Sequence, residues 1–213
     1  MSLTAKTPSP GRPKDLEKRA AILEAAKLLF PARGYDGVSM DAIAQAAGVS
    51  KLTVYSHFQD KDTLFIEAVQ ARCEELLPSD LFVPRFEGPV RAHLLRIAHA
   101  FFRLITSDEA ISIHRMMSAR TADDSHLPRL FWEAGPKRVQ EALTAFLQAE
   151  HAAGELHVPD CALAASQFFS LLKGECHARL LCGLQDHFPQ AQIDRHVEAT
   201  VDLFLRAYGP ARR

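Results

Sequence analysis

The sequence predicts an all-α protein, with a small domain of short helices at the N-terminus and a larger domain of longer helices behind it. Apolar residues recur at helical spacing in one segment after another, and serine or aspartate residues suited to helix caps precede several of these segments. No segment reads as a strand. Counting the segments gives about nine helices, and the clearest of them, 190–208, carries a long apolar stripe from Ile193 to Tyr208.

Composition sets the outer limits of the prediction. With 213 residues, 47% of them hydrophobic, the chain is long enough for one or two packed domains. It has no run of about 18 uncharged apolar residues and no apolar leader at its N-terminus. We therefore expect a cytoplasmic protein without a membrane partner.

The first helix is predicted to begin at Asp15. Residues 1–14 are rich in Pro, Ser and Gly and lack an apolar period, so they are predicted to form a flexible basic arm. Pro31 and Gly34 are expected to end the helix.

Three cap residues define the next helices. Ser39 and Ser50 are suited to cap a second helix and a very short third one, and Asp60 is suited to cap a fourth. We therefore place one domain at 15–60 and a larger helical domain at 61–213.

The second and third helices have the spacing of a helix-turn-helix. Two helices that cross steeply at a short turn need a small residue at the crossing and a turn residue that accepts positive φ. Ala44 and Gly48 meet these needs, and an apolar wedge is supplied by Ile43, Ala47, Val49 and Val54. Packing would hold the short third helix and leave its polar face free.

Charge is unevenly distributed along the chain. Residues 1–61 hold nine Lys or Arg against six acids, a net charge of +3, whereas the rest of the chain carries −4. A basic head on an acidic body is compatible with a partner that carries phosphates.

The polar face of the third helix is suited to DNA. An α-helix fits the major groove, where its N-terminal residues reach base edges and its flanks contact phosphates. The candidate DNA-binding residues, with two from the arm, are Arg12, Lys14, Ser39, Ser50, Lys51, Thr53, Tyr55, His57 and Lys61. The alternative is that Tyr55 is a core aromatic and His57 a solvated side chain.

The N-terminal domain resembles a known family. The run from Arg19 to Val69 includes ILEAAKLLF, RGYDGVSM, IAQAAGVSKLTVYSHF and DKDTLF in that order. In this order the motifs are similar to the DNA-binding head of the tetracycline-repressor (TetR) family of bacterial transcription regulators. Pro31 and Leu52 depart from the usual pattern, in which a helix former and a small residue stand at those positions.

The second domain resembles the AefR-like C-terminal domain of some of these regulators, most clearly in RLFWEAGPKRVQEALTAFLQAEHAAGELHVPDCALAASQFFSLLKG. The resemblance implies that 61–213 is a ligand-binding and dimerisation domain. It implies a homodimer that pairs through its last two helices and a ligand cavity inside helices four to eight. It also implies a small inducer that weakens binding to a double-stranded DNA operator.

Several aromatic and thioether side chains are candidates for the wall of that cavity. Such a set suits a hydrophobic or amphipathic aromatic compound, although each residue could equally fill the core. The candidate ligand-binding residues are Phe101, Phe102, Ile105, Met116, Met117, Phe131, Trp132 and Phe168. His99, His114 and His177 are candidates for one polar contact within it.

The last two predicted helices, 160–183 and 190–208, are apolar on more than one side. A twofold four-helix bundle would cover the second side, and Val201 and Phe204 are predicted to lie in it. The alternative is that these helices are simply buried within one subunit.

Other chemistry finds little support in the sequence. Cys176 and Cys182 are six residues apart and so lie on opposite sides of a helix, where with His177 they form a poor metal site. No catalytic or cofactor motif appears, so we expect neither an enzyme nor a bound cofactor. The four cysteines form no CxxC pair and suggest reduced, buried thiols. A second hypothesis remains, an all-α small-molecule-binding or thiol redox-sensing protein.

Overall fold

The computed structural model describes residues 11–84, 88–120 and 125–210, with side chains from Asp15 onward. Within these ranges the regular secondary structure is helical and contains no strand, which confirms the predicted all-α class. The chain forms two compact units, Met1–Ala68 and Val69–Arg213. Their boundary falls inside the fourth helix rather than at its start.

The first unit contains three complete helices and the beginning of a fourth: α1 (Gly11–Arg33), α2 (Met40–Ala46), α3 (Lys51–His57) and α4 (Lys61–Leu76). Helix α1 begins at Gly11 and not at Asp15, so the end of the predicted arm is helical; residues 1–10 lie outside the described part of the chain. Pro31 lies within α1, and the helix ends two residues later, before Gly34 at φ +73°.

Aromatic packing forms the centre of the first unit. The rings of Phe30 and Phe65 meet edge to face with centroids 5.2 Å apart, and Tyr35 lies against both. The guanidinium of Arg19 lies 5.0 Å from the centre of the Phe58 ring and forms an ion pair with Glu67 of α4. These contacts fasten the start of α4 to α1.

The second unit consists of the end of α4, a 3₁₀ turn at Ser79–Phe82 and six further helices. These are α5 (Val90–Ile105), α6 (Asp108–Ser118), α7 (His126–Ala134), α8 (Pro136–Ala152), α9 (Cys161–Leu181) and α10 (Gln190–Tyr208). The prediction of one helix over 127–152 was wrong, because the chain breaks at Gly135 and restarts at Pro136. Proline lacks the N–H that a helix interior requires but suits the first position of a new helix.

Helices α5, α8, α9 and α10 enclose the main core of the second unit, whose largest fully buried residues are Leu94, Ile97, Phe102, Phe146, Phe168 and Phe204. Helix α9 is kinked at Gly174, where φ is +42° and ψ −149°. A left-handed φ of this kind favours glycine. The nearby carbonyl of Leu172 lies 2.9 Å from the His196 Nε2 of α10, which ties the kink to its neighbour.

The stripe predicted along the last helix is confirmed by burial. Val197, Thr200, Val201 and Phe204 are buried, and Ile193, Leu205 and Tyr208 pack at the edge of the same core. None of the described helices is long and apolar enough to cross a membrane.

Candidate nucleic-acid interface and ligand region

The turn between α2 and α3 has the predicted construction. Gly48 adopts φ +65°, and the following Val49 N–H donates to the Ala44 carbonyl at 3.0 Å. Ile43 and Val54 are fully buried and Ala44 nearly so. Packing of this wedge holds a helix of two turns that would be marginal in isolation.

Serine caps begin both helices. The Ser39 side chain accepts a hydrogen bond from the Ala42 N–H, and the Ser50 side chain accepts one from the Thr53 N–H, each at 3.1 Å. Ser50 Oγ also lies 2.8 Å from Thr53 Oγ1. The two serines therefore fix the starts of α2 and α3, and Ser50 orients the Thr53 hydroxyl.

The outer face of α3 presents Lys51, Leu52 and Tyr55 to solvent. Lys51 Nζ lies 2.9 Å from an Asp41 carboxylate oxygen, and both side chains are exposed. The hydrogen bond to Asp41 raises the pKa of Lys51, so its charge is secure at neutral pH. Leu52 is 80% exposed. Leu52 is not among the candidate DNA-binding residues predicted from the sequence. The available signal is a large apolar residue at a position where a small one is usual in the family.

The structure does not place His57 on this free face. Its side chain is only 10% exposed, and its Nε2 lies 3.1 Å from an Asp15 carboxylate oxygen of α1, without the geometry of a hydrogen bond. The ring faces inward because position 57 is one turn beyond the buried Val54 and beside Phe58, which is also buried.

Lys61 uses part of its hydrogen-bonding capacity within the protein. Its Nζ donates to the carbonyls of Tyr35 and Val38 at 3.0 and 3.1 Å and lies 4.1 Å from the centre of the Tyr35 ring. An ammonium has three N–H donors, so one remains for another acceptor. Arg12 and Lys14 lie outside the described side chains.

The eight predicted ligand residues separate into two groups. Phe101, Phe102, Ile105 and Phe168 are buried in the closed core, where Phe101 stacks on Phe169 at 4.1 Å. The other four lie on α6 and α7 and are only partly buried or exposed: Met116, Met117, Phe131 and Trp132. An open surface depression of about 840 Å³ at the end of α10 is lined by none of the eight.

The three predicted polar contacts also separate. His99 lies near Asp194 on a partly exposed surface, its Nδ1 3.9 Å from a carboxylate oxygen. His114 of α6 and His177 of α9 meet edge to face with ring centroids 5.1 Å apart, and Phe131 meets His114 edge to face at 5.3 Å. The structure therefore brings His114, His177 and Phe131 together.

Three of the four cysteines offer no support for a redox sensor, whereas Cys182 is exposed and so departs from the expected buried thiols. Burial raises the pKa of Cys73 to about 11, and it also raises the pKa values of Cys161 and Cys176. Because the thiolate is the reactive form, these three thiols are held in the unreactive state. Among the described residues, no group of three or more His, Cys, Asp or Glu side chains could hold a metal ion.

Two short helices fixed at a glycine turn, with an exposed face on the second, define the class of helix-turn-helix DNA-binding proteins. The chain belongs to the TetR family of bacterial regulatory proteins, as its motifs implied. Residues 22–68 match the family model described as bacterial regulatory proteins, tetR family, and residues 92–210 match the AefR-like transcriptional repressor, C-terminal domain.

Two relatives of known role match part of the chain. The transcriptional activator FasR of Mycolicibacterium smegmatis is 36% identical over 96 residues, which make up 45% of this chain and 43% of FasR. The transcriptional repressor AcnR of Corynebacterium diphtheriae is 26% identical over 120 residues, or 53% of this chain and 63% of AcnR. The chain therefore spans less than two thirds of either relative.

Solved structures match nearly the whole chain. A TetR-family regulator from Mesorhizobium loti superposes with a TM-score of 0.75 at 29% identity, covering 92% of this chain and 98% of the other. The flavonoid-responsive regulator FrrA superposes with a TM-score of 0.71 at 35% identity, with the same two coverages.

Proposed function

We propose that the protein is a ligand-responsive transcriptional repressor, which binds a palindromic operator as a homodimer and is released by a small hydrophobic inducer. The observation that carries the proposal is the exposed face of α3, where Lys51, Leu52 and Tyr55 stand on a helix fixed by a cap at Ser50 and a buried Val54. A rigid helix with a free polar face is the element that enters a major groove.

The candidate residues on and beside α3 have distinct roles in this proposal. Lys51 leaves Asp41 and binds a phosphate of the DNA, and the Tyr55 hydroxyl donates a hydrogen bond to the DNA backbone. Thr53, oriented by Ser50, reaches a base edge. Leu52 suits the methyl group of a thymine. Lys61 has one remaining N–H donor for a phosphate. His57, on the inward side of α3, stabilises the helix and does not contact DNA.

The proposed dimer uses the outer faces of α9 and α10. Leu163, Leu171 and Leu203 are each 41–52% exposed on these two helices, although they are large apolar residues. A second copy would cover them, and a twofold axis would present two recognition helices about one DNA turn apart.

The proposed inducer binds beside α6 and α7. Met116, Met117, Phe131 and Trp132 are the predicted ligand residues that the core leaves partly accessible. FrrA is flavonoid-responsive, as its name states, which supports an aromatic inducer for its relative.

Helix α4 offers a route from the inducer to the DNA-binding unit, because it supplies residues to both units. Within the second unit, Gly135 at the α7–α8 break lies against Val69 and Cys73 of α4. Arg72 of α4 also forms an ion pair at 2.9 Å with Glu109 of α6. A ligand that binds better to one position of α4 would shift the population toward that position.

The test is DNA binding by a matched pair of variants, measured by fluorescence anisotropy on the promoter of the gene itself and on random DNA. Lys51→Met should weaken binding about tenfold and reduce the salt slope by about 1, because one phosphate contact is lost. Asp41→Asn should strengthen binding about threefold, because Lys51 no longer has a competing carboxylate.

Lys137→Met is the control, since Lys137 of α8 has a side chain that is 44% exposed and pairs with Glu133 in the second unit. It should leave DNA binding unchanged. If the unmodified protein binds its promoter no better than random DNA, or if all three variants behave alike, the proposed function is wrong.

A further inference from the structure

A cluster of basic side chains lies between α6 and α9, and we call it the basic cluster: His114, Lys173 and His177. The two rings meet edge to face at 5.1 Å, and Lys173 lies four residues before His177 on α9. Burial and the nearby charge of Lys173 lower the pKa of both rings. No carboxylate among the described residues pairs with any of the three.

His177 is the least satisfied member of the basic cluster. The residue is only 7% exposed. Its Nε2 is shielded from solvent and has no hydrogen-bond partner in the described part of the chain. Leaving a buried polar atom without a partner costs about 1–3 kcal/mol, so native proteins rarely tolerate one without a reason. Burial, the nearby His114 and Lys173 lower the pKa of His177 to about 4.

Lys173 has a related deficiency. It is half-buried immediately before the kink at Gly174, and burial lowers its pKa while no acid raises it. Buried lysines are normally paired, because removing an ammonium from water is costly. An anion at this position would relieve both deficiencies.

Apolar surface adjoins the basic cluster. Nδ1 of His114 lies 2.7 Å from the Ala110 carbonyl, which fixes the ring, and the Phe131 ring meets the His114 ring edge to face at 5.3 Å. Trp132, the next residue of α7, is half exposed. A ligand anchored at the cluster would therefore find aromatic surface beside it.

We propose that the basic cluster binds the anionic group of an amphipathic ligand, with Lys173 pairing with the charge and His177 Nε2–H donating a hydrogen bond to it. The apolar part of the ligand lies against Phe131 and Trp132. This inference rests on the proposed ligand-responsive function, and it defines the inducer class as acids such as aromatic or acyl carboxylates, sulfonates and phenolates. A cation is disfavoured, because Lys173 carries a positive charge and the basic cluster contains no acid.

The test compares two fluorescent probes of nearly the same shape. 1-Anilinonaphthalene-8-sulfonate carries a sulfonate, and N-phenyl-1-naphthylamine lacks it. The unmodified protein should bind the sulfonate more tightly. Lys173→Met should weaken sulfonate binding about tenfold or more, because a charge-assisted contact is lost, and should leave the uncharged probe within about twofold.

Two substitutions at His177 provide a matched pair. His177→Gln keeps an N–H donor near the Nε2 position and should retain sulfonate binding, whereas His177→Phe removes it and should lose about tenfold. Lys137→Met, a charge removal elsewhere in the second unit, should change neither probe. Circular dichroism of each variant shows whether it is folded.

The proposal is overturned if Lys173→Met weakens both probes equally or neither of them, or if the two His177 variants bind the sulfonate alike. Its failure is distinguishable from failure of the proposed function. Promoter binding that depends on Lys51 would stand without the basic cluster, and sulfonate binding that depends on Lys173 would stand without promoter binding.

Discussion

At the scale of single residues, partners decide which side chains can recognise DNA. Lys51 is held by one exposed carboxylate that a phosphate can replace. Lys61 gives two of its donors to backbone carbonyls, and His57 turns toward Asp15. Three basic residues on neighbouring turns therefore differ in availability, although their residue types look equivalent for phosphate binding.

The lowered pKa of His177 predicts that the stability of the protein depends on pH. Its pKa is about 4 in the folded protein and near 6.5 when unfolded, so the unfolded chain binds more protons between these values and stability falls as pH is lowered. Between pH 7.5 and 5.0 this group should remove about 2 kcal/mol from the free energy of unfolding. Urea unfolding at the two pH values should show a smaller loss for His177→Phe.

The control for this prediction is His187→Gln, because His187 is exposed. This variant should lose as much stability as the unmodified protein. Equal losses in all three proteins would show that His177 titrates normally.

At the scale of elements, glycines define where helices turn, kink and stop. Gly48 makes the α2–α3 turn, Gly174 kinks α9, and Gly135 separates α7 from α8. The first two have positive φ, whereas Gly135 has φ −124° and is confined by close neighbours. Substitutions at Gly48 and Gly135 therefore act through different physical effects.

Gly48→Ala should lower the stability of the first unit by about 1–2 kcal/mol through backbone strain alone. A Cβ at this position would meet no atom within 4 Å, so no clash contributes. Gly48→Asn should cost less, because asparagine tolerates the left-handed region better. Thermal unfolding measures both, and an equal cost for alanine and asparagine would contradict the strain argument.

Gly135→Ala should destabilise the second unit by about 1 kcal/mol through crowding. The added Cβ would lie 3.1 Å from Val69 Cγ1 and 3.3 Å from Cys73 Sγ of α4. Adding Val69→Ala to the variant should recover part of the loss, which a double-mutant cycle in urea would measure. Strictly additive costs would show that the two residues do not meet.

At the scale of the whole molecule, burial changes where the dimer interface should be sought. Val201 and Phe204, which the sequence predicted for the interface, are 0% and 2% exposed within a single protomer. Their burial agrees with the alternative interpretation, in which α10 is a core helix within one subunit. On the described α9 and α10, the large apolar residues left exposed are Leu163, Leu171 and Leu203.

Leu163→Glu combined with Leu171→Glu should give a folded monomer with weakened promoter binding, because charges on the proposed face oppose association without entering the core. Light scattering and circular dichroism measure the two properties. Leu184→Glu is the control, since Leu184 is 73% exposed in the loop after α9, and it should remain dimeric. A double variant that stays dimeric would overturn the proposed interface.

Phe204→Glu should unfold the protomer, because Phe204 is only 2% exposed.

The sequence by itself determined the features that depend on neighbours in the chain. The caps at Ser39, Ser50 and Asp60 follow from local hydrogen bonding, and the turn at Gly48 follows from local backbone sterics. The stripe on α10 follows from helical period. The Gly135–Pro136 pair also carried a local signal for the break between α7 and α8, which the prediction of one helix missed.

Only the tertiary structure decided which predicted side chains remain available. Phe102 and Trp132 were equivalent candidates by type, yet one is in the closed core and the other half exposed. Asp15 lies far from His57 in sequence, as His114 lies far from His177, and only packing of separate helices brings each pair together. Burial and pairing depend on contacts between distant parts of the chain, which a local sequence pattern does not encode.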